Sequence, residues 1–400
     1  MAVKSTKTKT VYLDHAAATP LDSDVLAVMK PLMRQWYGNA SSLHAQGQAA
    51  EKTLQSARSL VARCIGSRPE HIVFTGSGTE SDNLAIYGIA KAYKKFGQHI
   101  ITTKLEHEAV LKPVADLERQ GWKVTYITPN PEGIVEVEQV IQAIRPDTVL
   151  ISIMYANNEI GSINPIAEIG KKLLQYRKNH NTMLPYFHTD ACQAATYLDI
   201  SVEKLHVDLM TVNGSKMYGP KGVGMLYIRS GVTVEPIILG GEQENGLRSG
   251  TENIAGVAGF AKAFELVQKN KSKEIKKMRI LTELLWKKIQ QHIPDVALHG
   301  PQIGEKRLAN NLAINVAGVE GEALVLYLDA QGIMCSTGSA CAAKTQKYSH
   351  VLAALGKSPA ESSGSIRFSL GKENTKQDIG YVIKVLPRLV RQLRMVNTLK

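Results

Sequence analysis

The run Val149-Leu150-Ile151-Ser152-Ile153-Met154 is the stretch that best indicates the fold of this chain. It is almost continuously apolar, which is typical of a strand buried on both faces within a parallel sheet. On both sides of this run, from residue 50 to about residue 230, helical and strand patterns alternate. Such alternation predicts an α/β layer with a mostly parallel central sheet.

The spacing of apolar residues predicts the individual elements. In the first half of the chain these are helices over about 50–61, 80–92 and 110–117, and strands at 72–74, 99–102, 124–127, 185–190 and 207–213. In the second half a lysine-rich helix precedes strands at 296–298, 311–316 and 366–370 and helices at 322–328 and 377–395. We therefore predict a large domain over 19–266 and a smaller α+β domain built from 1–18 and 267–400.

The composition is that of a globular protein with a large core. Of the 400 residues, 44% are hydrophobic and 21% are charged. No apolar run approaches the roughly 20 residues of a membrane-spanning helix, and the N-terminus MAVKSTKTKT lacks the apolar core of an export signal, so a cytoplasmic protein is expected. Much of the +12 charge lies in 269–279, which is typical of a solvated helix face. Neither nucleic acid nor a membrane is expected as a partner.

A lysine and an aspartate carry the main chemical signal. Asp190 closes the strand-like run 185–190, and Lys216 follows the strand-like run 207–213. A lysine that forms a Schiff base and an aspartate that holds a pyridinium nitrogen are what pyridoxal 5'-phosphate requires of a protein. The pair therefore predicts an enzyme that uses this cofactor.

A turn rich in small residues, Gly76-Ser77-Gly78-Thr79, lies between a predicted strand and a predicted helix. Small residues let the backbone approach an anion, and the free amides at a helix start can bind phosphate. A tight turn would select glycine as well. Because the turn precedes the pair Asp190 and Lys216, we favour phosphate binding.

Three further polar residues follow or lie within predicted strands. His107 could stack on a cofactor ring and transfer protons, or it could simply cap a helix. Asn158 could bind a substrate, or it could form an Asx turn. Arg367 could grip the carboxylate of an amino-acid substrate with two hydrogen bonds, or it could pair at the surface.

The cysteines at 64, 192, 335 and 341 form no CxxC pair, so neither a metal site nor a disulfide framework is predicted. We expect Cys64 and Cys192 to be buried thiols, and Cys335 is also more plausibly buried. Cys341 ends the run 336–341 of serine, threonine, glycine and alanine, which should be mobile and exposed. Since thiolate chemistry requires access, Cys341 is the candidate nucleophile.

Taken together, these residues resemble the cysteine desulfurases, which are fold-type I pyridoxal phosphate enzymes. The resemblance runs from Tyr12-Leu13-Asp14-His15 to Ser369-Leu370-Gly371. Its most specific motifs are TESDN (79–83), NNEIG (157–161), HTDACQA (188–194), YGPKGVG (218–224), RSGTEN (248–253) and STGSAC (336–341). The last motif resembles that of the group with a long cysteine loop, which serves iron–sulfur cluster assembly and tRNA thiolation.

The resemblance implies a reaction, a set of site residues and partners. L-cysteine would be converted to L-alanine with a persulfide on Cys341, and the sulfur would pass to an acceptor such as an iron–sulfur scaffold or a tRNA-thiolation relay. Lys216 would form the Schiff base, Asp190 would pair with the pyridinium nitrogen, and Asn158 and Arg367 would hold the substrate carboxylate. The remaining cofactor contacts implied are His107 on the ring, Gln193 on the ring hydroxyl, and Gly78, Thr79, Asn213, Ser215 and a second subunit's Thr251 at the phosphate. Because Thr251 would come from a second subunit, the resemblance also implies a homodimer.

The sequence departs from the family at two places. Members commonly carry Ser-x-His before the Schiff-base lysine, where this chain has Asn213-Gly214-Ser215. Ser215 can donate a hydrogen bond to phosphate but cannot carry an imidazolium charge. Members also often carry an arginine where this chain has Asn245.

Two alternatives to a desulfurase stay open at this point. Another aminotransferase or lyase would need Lys216 and Asp190 but not Cys341. A non-catalytic scaffold for sulfur-transfer partners would need none of the three.

Overall fold

The computed structural model describes residues 9–338 and 348–397, so Cys341 lies outside the described residues. The strands are β1 (Val11–Tyr12), β2 (Ile72–Thr75), β3 (His99–Thr103), β4 (Lys123–Ile127), β5 (Thr148–Ser152), β6 (Tyr186–Asp190), β7 (Leu209–Asn213), β8 (Gly224–Ile228), β9 (Val296–Leu298), β10 (Asn311–Val316), β11 (Ile333–Met334) and β12 (Ser365–Ser369).

The helices are α1 (Ser23–Arg34), α2 (Ala45–Cys64), α3 (Gly78–Tyr93), α4 (Glu108–Arg119), α5 (Val137–Gln142), α6 (Ile166–His180), α7 (Val202–Leu205), α8 (Ile254–His292), α9 (Gly321–Asp329), α10 (His350–Ala354), α11 (Pro359–Ser362) and α12 (Lys376–Asn397). Across these described helices, none is both long enough and apolar enough to cross a bilayer.

A seven-stranded sheet in the order β2-β8-β7-β6-β5-β3-β4 forms the centre of the molecule. The pairs from β7 to β4 are parallel, whereas β8 is antiparallel to both of its neighbours. The predicted α/β fold with a mostly parallel central sheet is therefore confirmed.

Both faces of this sheet are buried, which explains its continuous apolar strands. Successive side chains point to opposite faces of a strand. In β5, Ile151 lies in the main hydrophobic core and Leu150 lies in a second core on the other face of the sheet. In β6, Phe187 lies in the main core and Tyr186 lies in the second. Each central strand therefore needs apolar residues at consecutive positions.

The C-terminal part contains a smaller antiparallel sheet in the order β12-β10-β9, and β1 pairs with β11. The N-terminal segment therefore contacts the C-terminal part of the chain. The 39-residue α8 runs across the boundary predicted after residue 266, and the division into two domains stays a prediction.

Two of the differences from the sequence prediction concern the central sheet. The strand predicted to reach Met154 ends at Ser152: the Ile153 N–H still donates to His188 of β6 (3.1 Å), but the Met154 N–H donates to the Glu106 side chain (2.8 Å) rather than to a strand. The strand β8 was not predicted. It is antiparallel and follows the glycine-rich turn after Lys216 directly, so no helix separates it from β7.

Candidate active site

The candidate site lies where β6 and β7 end. These neighbouring parallel strands place Asp190 directly opposite Thr211, and β7 ends two residues later at Asn213. Carboxyl ends of parallel strands form the edge of an α/β sheet where ligands collect. Asp190 and Lys216 thus arrive at one edge of the sheet.

Asp190 is fixed by hydrogen bonds to the backbone and is buried, with 7% of its surface exposed. Its Oδ1 accepts the backbone N–H of Cys192 (2.8 Å), and its backbone carbonyl accepts the N–H of Tyr155 (2.9 Å). These bonds fix the carboxyl group at the end of β6. Asp190 is therefore placed to interact with a cationic nitrogen at the sheet edge.

Lys216 lies on a 3₁₀ turn, Gly214–Lys216, immediately after β7. The turn is tight, because a Cβ at Gly214 would lie 2.6 Å from the carbonyl oxygen of Pro220. The Lys216 ammonium group donates to the carbonyl of Ala17, and the Lys216 carbonyl accepts the hydroxyl of Thr196 (3.1 Å). The N-terminal segment thus contributes a backbone acceptor to the lysine.

The start of α3 meets both strand ends at Gly78. A Cβ built on Gly78 would lie 2.8 Å from Cys192 Sγ and 3.1 Å from Asn213 Nδ2. Cys192 follows Asp190, and Asn213 precedes Lys216, so three separate segments converge at this glycine. Ser77 caps the helix by accepting the N–H of Glu80 (3.1 Å), which leaves other first-turn amides available to an anion.

Asn213 and Ser215 are coupled at this point. The Ser215 hydroxyl donates to Asn213 Oδ1 (3.4 Å), and the amide nitrogen of Asn213 is directed to Gly78. The arrangement presents an N–H donor at the first turn of α3. An uncharged donor therefore stands near the phosphate site that the sequence predicted.

Buried ionisable groups surround Asp190. Burial, and next the charge of Asp190, raise the pKa of Asp82, while burial raises the pKa of Glu106. Burial lowers the pKa of His188 to about 4, and its ring bonds the hydroxyls of Ser152 (2.9 Å) and Thr211 (3.1 Å). Burial thus favours the uncharged forms of these three neighbours of Asp190.

His107 is the N-cap of α4, and its Nδ1 accepts the N–H of Ala109 (3.1 Å). This bond assigns the proton of the neutral ring to Nε2. The capping role considered from the sequence is present, and any proton transfer by His107 would use Nε2.

Gln193 is half-buried, and its Nε2 donates to the carbonyl of Ala16 (2.9 Å). Thr79 and Thr251 are exposed. The predicted contacts of these three residues with a cofactor stay predictions.

Arg367 is buried in β12 with 2% of its surface exposed. Its Nη2 pairs with Asp14 (2.7 Å), and its Nη1 donates to the carbonyls of Asn158 (2.8 Å) and Gly338 (2.9 Å). Within residues 9–338 and 348–397, its Nε is buried without a hydrogen-bond partner. A buried donor without a partner is costly, so Nε is suited to a ligand that supplies an acceptor.

The described cysteines are poor nucleophiles. Burial raises the pKa of the Cys64 thiol to about 11 and raises those of Cys192 and Cys335 as well. Cys192 is buried as predicted, whereas Cys64 and Cys335 are half-buried. Each of these thiols is held in its unreactive protonated form.

Comparisons with known proteins agree with this geometry. Residues 11–382 match the family described as Aminotransferase class-V. A protein of Dictyoglomus turgidum named cysteine desulfurase IscS is 44% identical over 390 residues, covering 98% of this chain and 97% of that protein. A protein of Methanosarcina thermophila with the same name is 43% identical over 99% of this chain and 95% of its own length. The chain belongs to the cysteine desulfurase family of class-V aminotransferases.

Solved structures of the family have the same fold. A structure described as a NifS-like protein has a TM-score of 0.89 and 35% identity, covering 96% of this chain and 100% of its own. A structure described as SspA in complex with cysteine has a TM-score of 0.78 and 35% identity, covering 90% of this chain and 99% of its own. The predicted family and fold type, and the prediction of an enzyme of this class, are thus confirmed.

One residue of this site, Asp14, received no role from the sequence alone. Asp14 was quoted only as part of the resemblance, yet it pairs with Arg367 from 353 positions away. The run Asp14-His15-Ala16-Ala17 also supplies the carbonyls that Gln193 and Lys216 contact. A polar residue beside small residues at the N-terminus was the available signal, but nothing local indicated its partner.

Proposed function

We propose that this chain uses pyridoxal 5'-phosphate to convert L-cysteine to L-alanine, leaving a persulfide on Cys341. The observation that supports this most strongly is the convergence at Gly78, where the start of α3 meets the segments that carry Asp190 and Lys216. The absence of a Cβ at Gly78 leaves room for Cys192 Sγ and Asn213 Nδ2 at the first turn of α3, whose free amides can bind an anion. The residues present therefore fit the cofactor that family members use.

Three residues would hold the cofactor in defined roles. Lys216 would be the point of covalent attachment, Asp190 would face the ring nitrogen, and Asn213 would donate to the phosphate together with the amides of α3. When bound, the cofactor would supply an aldehyde that forms a Schiff base with an amine, and a ring that accepts electrons from the substrate carbon. Burial raises the pKa of Asp82 and lowers that of His188, so it favours the uncharged form of both groups beside Asp190.

The substrate carboxylate would bind Arg367 and Asn158. Among the described residues the Nε of Arg367 has no hydrogen-bond partner, so it offers a donor to an incoming carboxylate oxygen, and the guanidinium is already oriented by Asp14. A fixed guanidinium loses little entropy when it binds, which favours positioning of the substrate. The Lys216 amine would move the proton at the α-carbon, and His107 Nε2 would serve as a second proton carrier.

Cys341 would accept the sulfur. Its thiolate attacks the sulfur of the substrate, so an S–S bond forms and the C–S bond breaks. The electron pair of that bond goes to the substrate carbon, which takes a proton and becomes the methyl group of alanine. Atoms and electrons balance without another reactant. Burial raises the pKa values of the described cysteines, so they are poor candidates for this role, which supports the assignment to Cys341.

The partners and the compartment belong to the same proposal. Thr251 is exposed and so accessible to a second subunit, and the homodimer itself follows from the family resemblance. An iron–sulfur scaffold or a tRNA-thiolation relay would take the persulfide sulfur, in a cytoplasmic setting.

The test is a Cys341→Ser variant assayed with L-cysteine. We expect loss of the persulfide and of alanine release, while the visible absorption of bound cofactor is unchanged. Cys335→Ser is the matched control and should keep both products. Undiminished alanine release by Cys341→Ser would contradict the assignment, and keto-acid exchange without alanine release would favour an aminotransferase.

A further inference from the structure

Residues 14–19 contact both sides of the candidate site, and we call them the bridging segment. On the substrate side, the Asp14 carboxylate pairs with Arg367 (2.7 Å). On the cofactor side, the Ala17 carbonyl accepts the ammonium group of Lys216. The position of the bridging segment therefore affects where the guanidinium of Arg367 and the amine of Lys216 lie relative to each other.

Hydrogen bonds fasten both ends of the bridging segment. At its start, the His15 N–H donates to the carbonyl of Ser369 (3.2 Å), which follows Arg367 by two residues on β12. At its end, the Thr19 N–H (2.9 Å) and the Thr19 hydroxyl (3.0 Å) both donate to the carbonyl of Ser215, the residue before the lysine. The bridging segment is thus a direct connection between β12 and the lysine turn.

The His15 side chain is buried where the bridging segment meets β12, with 4% of the residue exposed. Its Nδ1 donates to the Ser369 carbonyl (3.0 Å), and its Nε2 lies 3.5 Å from Glu373 Oε2. The Tyr12 ring packs edge-on against it, with ring centroids 4.8 Å apart. A Cβ built on Gly371 would overlap Nε2, so the imidazole occupies the space that a side chain at 371 would need. Contacts on several sides therefore fix the imidazole and the backbone that carries it.

The Tyr12 hydroxyl closes the turn in the middle of the bridging segment. It donates to the carbonyls of Asp14 (3.0 Å) and Ala18 (2.8 Å). The Asp14 carbonyl also accepts the N–H of Ala17 (3.0 Å). His15 lies inside this turn, between the carboxylate that orients Arg367 and the carbonyl that contacts the lysine.

We propose that His15 is a positioning residue, which holds the bridging segment so that the Arg367 guanidinium and the Lys216 amine face one substrate at a fixed separation. The inference rests on the proposed function, because it assigns His15 to the carboxylate binding and the proton transfer proposed there. In an amino acid the carboxylate and the α-hydrogen are attached to the same carbon. The groups that bind one and remove the other must therefore be held in register, and a small misplacement costs rate.

The experiment compares His15→Ala with the wild-type holoenzyme, with L-alanine as the probe in D₂O. The Lys216 amine exchanges the α-hydrogen of alanine for solvent deuterium, so a C–H bond is replaced by a C–D bond and no other reactant is consumed. Proton NMR measures this exchange without any sulfur transfer. We expect its rate to fall about 10-fold or more in His15→Ala. The affinity for L-alanine, measured by visible absorption, should fall about 5-fold as Asp14 loses its fixed position beside Arg367.

A further readout needs no substrate and no activity. Amide hydrogen exchange of the peptide that spans residues 14–19, measured by mass spectrometry with and without cofactor, should become several-fold faster in His15→Ala. Faster exchange there would show directly that the imidazole holds the bridging segment.

Two variants serve as controls. The amide nitrogen of asparagine can replace Nδ1 as a donor to the Ser369 carbonyl, so His15→Asn should stay within about 3-fold of wild type in all three readouts. His99→Ala removes another buried ring, which bonds Thr148 (2.7 Å) and Thr125 (2.9 Å) at the start of β3. Because the candidate site lies where the strands end, His99→Ala should leave all three readouts within about 2-fold of wild type.

A milder variant tests the same segment if His15→Ala does not fold. Tyr12→Phe removes the hydroxyl that bonds the carbonyls of Asp14 and Ala18 and keeps the ring beside His15. It should shift all three readouts in the same direction by a smaller amount.

Equal rates of α-hydrogen exchange and of amide exchange in His15→Ala and His99→Ala would overturn the inference. A loss of alanine affinity without slower α-hydrogen exchange would also overturn it, because the bridging segment would then serve Arg367 alone. A wild-type holoenzyme that exchanges the α-hydrogen of alanine but forms no persulfide from L-cysteine would refute the proposed function instead. The comparison of the variants would then still judge the role of His15.

Discussion

The two sides of the candidate site are built in opposite ways. The cofactor-facing side, Asp190, Asn213 and Lys216, comes from two adjacent strands, and Asp190 and Lys216 lie 26 positions apart. The carboxylate-facing side, Asp14, Asn158 and Arg367, comes from three distant parts of the chain, with Asp14 and Arg367 separated by 353 positions. The first side needs only one strand pair to form, whereas the second exists only once the N-terminal and C-terminal segments have packed together.

Lys216→Ala should have the largest effect, because it removes the covalent attachment point from the cofactor-facing side. We expect alanine release to fall about 10³-fold or more, in line with loss of a catalytic base. Steady-state assays with L-cysteine measure this. Lys221→Ala, an exposed lysine in the same turn, is the control and should be close to wild type. Comparable activity of the two variants would remove Lys216 from the site.

Arg367→Lys tests the carboxylate-facing side. Lysine keeps the charge but cannot hold Asp14, the carbonyls of Asn158 and Gly338, and a substrate carboxylate at the same time. We expect the KM for L-cysteine to rise about 10²-fold with a smaller change in kcat, and the cofactor absorption to persist. Arg388→Lys, whose guanidinium contacts Gln331 at the surface, should leave KM unchanged. An unaltered KM in Arg367→Lys would place carboxylate recognition elsewhere.

Acidification tests both sheets at once, because each contains a buried neutral histidine. Burial lowers the pKa of His188, in the large sheet, and of His299, beside the small sheet, to about 4. In the unfolded chain each histidine has a pKa of about 6.5, so it binds a proton at a higher pH than in the folded protein. The stability that depends on the neutral ring is therefore fully present above that pH and is lost as the pH falls toward 4. From pH 6.5 to pH 4.5, each histidine should lower the free energy of unfolding by about 2 kcal/mol.

Urea unfolding at several pH values measures this dependence. His299→Asn should weaken the pH dependence without abolishing it, since His188 remains. An identical slope for wild type and His299→Asn would show that His299 is not a buried neutral group.

The smallest effects are expected at the departure from the family motif. Asn213→Ala removes the amide directed to Gly78 and should weaken cofactor binding about 10-fold, the value of one hydrogen bond to a charged group. Ser215→Ala removes only the long bond to Asn213 (3.4 Å) and should weaken binding about 2- to 3-fold. Titration of the unloaded protein with pyridoxal phosphate measures both. A larger loss in Ser215→Ala than in Asn213→Ala would reverse their assigned roles.

The sequence predicted more of the cofactor-facing side and its sheet than of the carboxylate-facing side. The run at 149–154 and the alternation around it predicted the parallel sheet, and the strands before Asp190 and Lys216 were predicted as well. These inferences depend on short-range periodicity, which a sequence records directly. The sequence did not reveal that β5 ends at Ser152, because the acceptor of the Met154 N–H is a distant side chain, that of Glu106. It also did not reveal the antiparallel β8, because a turn without a helix joins β7 to β8.

The carboxylate-facing side could not be assembled from the sequence in this way. Arg367 was recognised by its residue type, but its pairing with Asp14 and its bonds to Asn158 and Gly338 depend on tertiary contacts. The same holds for Glu159, which lies inside a motif that the sequence made visible but whose partner Ser349 is 190 positions away. Residue type indicates what chemistry is available, and packing decides which groups meet.

The most direct test is borohydride reduction of the holoenzyme followed by peptide mapping. The cofactor-facing side described here predicts that the pyridoxyl mass is found on the peptide that contains Lys216. Modification of a different lysine, or no modification of a protein that has taken up the cofactor, would contradict it.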